Sequence, residues 1–146
     1  MKLFLSGGGN RQASAEFDRR FLAILDSRPL LYIPVARTPP YDSCLEWIQG
    51  VFSDKEIVMA GQLEDIDPDL YSGIYIGGGN TYKLLRLVKN SGFEQTLRAL
   101  QRPIYGGSAG AIIMGQTIKT SPDEHDPDAD TKGLGLVGFD IACHFE

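Results

Sequence analysis

IYGGSAGAIIMG, residues 104–115, starts as an apolar strand pattern, passes through a knot of small residues around one serine, and ends in an apolar run able to begin a helix. Within it Gly106, Gly107, Ser108, Ala109 and Gly110 spell GxSxG. That pattern belongs to a sharp strand-to-helix turn, which holds the serine in a strained conformation and presents its hydroxyl at a helix N-terminus. Small neighbours are required because only they let the backbone close so tightly. A phosphate cradle or a simple helix cap would use the same residue types, so the rest of the chain has to decide among the three.

Outward from this turn, short apolar runs alternate with stretches of helical periodicity. This is the pattern of an α/β domain built on a mostly parallel sheet. Strands are expected over 2–5, 30–35, 56–60, 73–76 and 104–105, with a later one over 136–142. SAEFDRRFLAILDS carries Phe17, Phe21, Leu22 and Leu25 on one helical face, with Ser14 three residues ahead of Phe17. PPYDSCLEWIQGVFS reads as a second helix behind two prolines, with Trp47 as a core or interface anchor. TYKLLRLVKNSGFEQTLRALQ reads as two helices broken at Asn90, Ser91 and Gly92, the second ended by Pro103. The polar, acidic stretch after Gly115, TSPDEHDPDADTKGLG, reads as an exposed functional or mobile loop.

The 146 residues suit one domain with one core, and 42% apolar with 23% charged residues is ordinary for a folded globular chain. A net charge of −5 without any basic run speaks against a nucleic-acid or anionic-membrane partner. MKLFLSGGGN has too short an apolar run for a signal peptide or a spanning helix, so a cytoplasmic protein is expected. Cys44 and Cys143 are too few for a disulfide framework and read as reduced packing thiols.

The other glycine clusters were weighed against nucleotide binding. GGGN at 7–10 and again at 77–80 follows a strand and precedes a helix, yet the last glycine of GxGxxG is replaced by Gln12 and by Tyr82, and no GK[ST] follows. Gly133 to Gly138 completes GxGxxG but precedes a strand-like segment. Asp126, Asp128 and Asp130 alternate as in a calcium loop, but Thr131 and Val137 stand where that loop needs glycine and glutamate. No cofactor and no metal are expected.

A serine nucleophile needs a base and an acid to orient it. Of the two histidines, His125 lies in the acidic loop and reads as a surface residue. His144 follows FDIAC at an expected strand end and is the better base. Asp123, Glu124 and Asp126 lie between Ser108 and His144, giving the order nucleophile, acid, base; spacing does not choose among them. Ala109 N–H is the natural first oxyanion donor, and the turn at 77–80 suits the second.

Together these features resemble the peptidase E group of serine peptidases, which includes aspartyl dipeptidases and cyanophycinases. The resemblance rests on IYIGGGNTYKLL at 74–85, YGGSAGAIIMG at 105–115, the TSPDEHD loop, and the pair His144 and Phe145. It implies a three-layer α/β fold, with flanking helices, of the class I glutamine amidotransferase-like or flavodoxin-like kind. It also implies a dipeptidase acting after an N-terminal aspartate of short peptides without a cofactor. By position it matches Ser108 to the nucleophile, His144 to the base, Asp123 to the acid, and Gly78 or Gly79 with Ala109 to the oxyanion donors. Asn80 and Thr81 are expected to contact substrate. Arg37, after the strand ending in IPVA, could neutralise a substrate carboxylate, although a surface arginine is the plainer reading. Family members continue past the histidine, so a shortened domain is expected, with a homodimer covering the open edge of the sheet. The alternative function is a weakly active or inactive paralogue that binds peptides.

Overall fold

In the computed structural model, which describes residues 2–7 and 11–143, five parallel strands form one sheet in the order β1-β5-β4-β2-β3. They are β1 (Leu3–Ser6), β2 (Leu30–Ile33), β3 (Ile57–Met59), β4 (Gly73–Ile76) and β5 (Ile104–Gly107). The helices are α1 (Arg11–Ala23), α2 (Asp42–Val51), α3 (Thr81–Asn90), α4 (Phe93–Ala99) and the short α5 (Ala109–Ile112).

Strand side chains alternate faces, and here the alternation sorts them by chemistry. Leu31, Ile33, Ile74, Ile76 and Ile104 belong to an aliphatic core with Leu84, Leu85 and Val88 of α3, Phe93 and Leu97 of α4, and Ile112 of α5. Leu30, Tyr32, Tyr75 and Tyr105, the intervening positions, pack with Phe21 of α1, Ile48 of α2 and Phe52. Strands β2, β4 and β5 are buried along their whole length and β1 and β3 only partly, as expected of interior and edge strands in a covered parallel sheet.

The two faces also explain the strand order. Chain travel from β1 to β2 and on to β3 uses α1 and α2 on the aromatic side, whereas travel back from β4 to β5 uses α3 and α4 on the aliphatic side. Right-handed crossovers in opposite directions must lie on opposite faces. The reversal opens a crevice at the carboxyl ends of the central strands, the usual ligand position in such sheets.

Several boundaries depart from the sequence expectation. Helix α1 begins three residues before Ser14, whose hydroxyl donates to Asp18 Oδ2 one turn later (3.1 Å) instead of capping the helix. Strand β5 runs through both glycines to Gly107, since Gly106 and Gly107 pair in register with Leu5 and Ser6. The strand expected over 136–142 does not form. Backbone N–H groups of Leu134 and Val137 donate to Ile113 and Met114 carbonyls, and Thr117 N–H donates to Asp140, so this segment packs on the turn after α5 and not beside another strand. The break between α3 and α4 is as read: Gly92 has φ 80°, and Ser91 Oγ accepts Phe93 N–H at 3.2 Å.

Candidate active site

Ser108 sits between β5 and α5 with φ 54° and ψ −111°, a conformation that non-glycine residues rarely adopt. Its backbone is held from both sides. The N–H donates to Ser6 O (2.9 Å), and the carbonyl accepts from Ala111 and Ile112 N–H (2.9 and 3.0 Å). Gly110 makes the tight geometry feasible: a Cβ there would lie 2.3 Å from Ile76 O, so α5 can settle on β4 only without a side chain at this position.

The turn after β4 is locked to the end of β2 by two bonds, Gly77 N–H to Ile33 O (3.0 Å) and Asn80 N–H to Ala36 O (2.8 Å). Between them Gly79 takes φ 145° against the backbone of Ala36 and Arg37, where any Cβ would collide. This brings Gly78 against the serine; a Cβ on Gly78 would be 3.0 Å from Ser108 Cβ and 3.6 Å from its Oγ. Among the described residues, neither Gly78 nor Gly79 N–H has an acceptor. Ala109 N–H, at the first position of α5, has no acceptor one turn back within its own helix.

Ser108 opens onto a cavity of about 610 Å³ that Gly78, Gly79, Thr81, Ala109 and Asp123 also line. This is within the range of small-ligand sites. Asp123 is anchored firmly: its Oδ2 accepts from Thr81 N–H (2.8 Å), Thr81 Oγ1 (3.0 Å) and Ser121 Oγ (2.9 Å). Thr81 is the first residue of α3, so the carboxylate also lies at the positive end of that helix. The three carboxylates left open by spacing are thus separated in space. Glu124 and Asp126 are exposed and line a neighbouring cavity, not the one holding Ser108.

His144 lies outside the described residues. The chain nevertheless reaches the elbow one position earlier, where Cys143 Sγ donates to Ser108 O at 3.5 Å. Burial raises the Cys143 thiol pKa, favouring the protonated form. His125 is an exposed residue, as read from the sequence; its ring stacks on Tyr82 with centroids 3.8 Å apart.

Two expectations for substrate contacts change. Asn80 borders the neighbouring cavity, and its side chain is engaged in structure: Oδ1 accepts Lys83 N–H to cap α3, and Nδ2 donates to Glu124 O. Thr81 does line the Ser108 cavity, but its hydroxyl is directed to Asp123. Arg37 is exposed and lines the same cavity.

Sequence reasoning missed the other wall. Tyr32, Tyr75 and Tyr105 are buried yet border the cavity, together with Trp47, which is 45% exposed and so, of the two roles expected, core or interface anchor, is not core. Burial drives the hydroxyl pKa of all three tyrosines far above the ordinary value, so they remain neutral. Tyr105 stacks on Tyr75 (4.3 Å) and donates to the buried Asp18 at 2.6 Å. The only signal was the tyrosine at the second position of each of the sequences LYIP, IYIG and IYGG.

Peptidase family S51 matches over residues 3–146. The chain belongs to peptidase family S51. Among its S51-type relatives are proteins named Peptidase E from Streptomyces coelicolor, 29% identical over 80% of this chain and 51% of the relative, and from Shewanella baltica OS185, 34% identical over 79% and 52%. The chain therefore spans about half the length of the curated relatives it matches. Two crystal structures share the fold: a Listeria monocytogenes EGD-e protein (TM-score 0.74, 22% identity, 96% of this chain and 77% of that one) and a peptidase from an acI-B1 Actinobacterium (TM-score 0.70, 21% identity, 98% and 68%).

Proposed function

We propose that this chain is a cytoplasmic serine peptidase that hydrolyses short peptides beginning with aspartate, of the Asp-X dipeptide type. The observation that carries the reading is the positive φ of Ser108 on an elbow beside the cavity it shares with Asp123. Membership of peptidase family S51 supports the same reaction class.

In this reading Ser108 Oγ attacks the scissile carbonyl carbon while His144 takes the hydroxyl proton. The carbonyl oxygen becomes an oxyanion, received by the N–H groups of Ala109 and of Gly78 or Gly79. His144 then returns its proton to the leaving amine, the C–N bond breaks, and an aspartyl ester remains on Ser108. Water, deprotonated by His144, attacks that ester; the bond from the acyl carbon to Ser108 Oγ breaks, His144 returns the proton to Oγ, and aspartate is released. Asp123 orients the imidazole and stabilises its charged form. Among the described residues, three donors bind its Oδ2, which suits a carboxylate required to hold one orientation.

Labelling with a serine-directed fluorophosphonate and peptide mapping tests the nucleophile. Modification at Ser108 that is absent from Ser108→Ala, with Asp-X hydrolysis lost in that variant, is expected; unchanged hydrolysis by Ser108→Ala would sink the proposal. The same proposal includes a homodimer along an edge strand, for which light scattering should give twice the chain mass; a monomer mass would refute that part.

A further inference from the structure

The Ser108 cavity has two unlike walls. One is polar: the Gly78 and Gly79 turn, Thr81 and Asp123. On the sheet's aromatic face the lining includes Tyr32 and Tyr75 from the sheet and, from α2, Trp47 beside Ser43 and Cys44. Trp47 meets Tyr75 edge to face with centroids 6.2 Å apart, and Tyr75 in turn meets Tyr32 at 5.7 Å. The tyrosine rings are almost wholly buried, while nearly half of the indole surface is open. A large aromatic left open on the rim of a cavity has unspent apolar surface, and covering it favours binding.

From this we infer that the wall formed by Trp47, Tyr32 and Tyr75 is a side-chain subsite that selects an uncharged apolar or aromatic residue of the peptide, the X of an Asp-X substrate. This rests on the reading of Ser108 as a peptidase nucleophile. An Asp-X dipeptide has only two side chains. A carboxylate laid against the exposed part of Trp47 loses hydration over an apolar surface. The apolar side chain gains by covering the indole. Arg37 on the same cavity further disfavours a basic residue at X.

Trp47 is the single tryptophan of the chain, so its fluorescence reports the subsite directly. Wild-type protein should cleave Asp-Phe with a higher kcat/KM than Asp-Gly or Asp-Lys. In Trp47→Ala the ratio of Asp-Phe to Asp-Gly should fall about tenfold, mainly through KM, with Trp47→Phe intermediate. An unchanged ratio in Trp47→Ala overturns the subsite while leaving the peptidase reading intact. Should the wild type hydrolyse no dipeptide, the peptidase reading fails instead, and the subsite is judged by binding to Ser108→Ala. Asp-Phe that binds by calorimetry and shifts the Trp47 emission, with Asp-Gly shifting it less, supports it. Binding of Asp-Phe without an emission change, or no binding, overturns it.

Discussion

Among the described residues, Asp123 Oδ2 takes donors from two places: the first residue of α3 and Ser121, two residues before it. Ser121 Oγ also accepts Asp123 N–H, so backbone and side chain are fixed together (3.2 Å). If Asp123 orients the base as proposed, Thr81 acts on the chemistry through it and is a positioning residue. Thr81→Val keeps the shape and the backbone donor but removes the hydroxyl. Loss of one hydrogen bond to a charged group should lower kcat/KM on an Asp-X peptide about tenfold, mostly in kcat. Thr81→Ser should restore most of the rate. Equal rates for all three proteins would show that the hydroxyl does not matter to the acid.

Helix α5 is only four residues long, and its position depends on how closely it can approach β4. Gly110→Ala places a methyl 2.3 Å from Ile76 O, backbone that cannot rotate away. The expected cost is about 2 kcal/mol of stability, read as a lowered urea midpoint, together with lost activity as the elbow shifts. A stability within experimental scatter of wild type would mean that α5 does not need this approach. The acidic loop behaves differently. It is tied to α3 by Asn80 Nδ2 to Glu124 O and by Lys89 Nζ to Asp130 Oδ2 (2.6 Å). Hydrogen bonding to Lys89 holds Asp130 below the ordinary aspartate range, so this tie is present at neutral pH and fades as the solution becomes acid enough to protonate it. The pair is solvent-exposed and contributes little to global stability.

The bond from Tyr105 to Asp18 links α1 to the middle of the sheet and lies beneath the Ser108 cavity. Asp18 is 7% exposed and also accepts from Ser14, so Tyr105→Phe leaves a buried carboxylate with a donor removed. A loss of about 2 kcal/mol is expected, measurable by urea denaturation. No loss would show that water replaces the phenol freely. The stacked Tyr75 ring transmits any movement of Tyr105 toward the aromatic wall, so the same variant should also raise KM for Asp-Phe.

Much of this architecture follows from local chemistry. The apolar runs of the strands, the Gly92 break and the small residues around Ser108 each act over a few residues, and so they could be read without coordinates. GxSxG demanded a strained serine, and φ 54° is that strain. Long-range placement was not legible. Three carboxylates of similar sequence spacing became distinct only when the loop folded against α3, since hydrogen bonds 42 residues apart in the chain hold Asp123 beside the Ser108 cavity. An apolar run at 136–142 looked like a strand because hydrophobicity does not say which backbone groups are left to pair. Trp47 read as a core or interface anchor because hydrophobicity does not reveal that its neighbours leave a cavity beside it. Residue types and spacings determined most of the elements and the nucleophile candidate; the placement of Asp123 and the aromatic wall depended on distances between segments far apart in the chain.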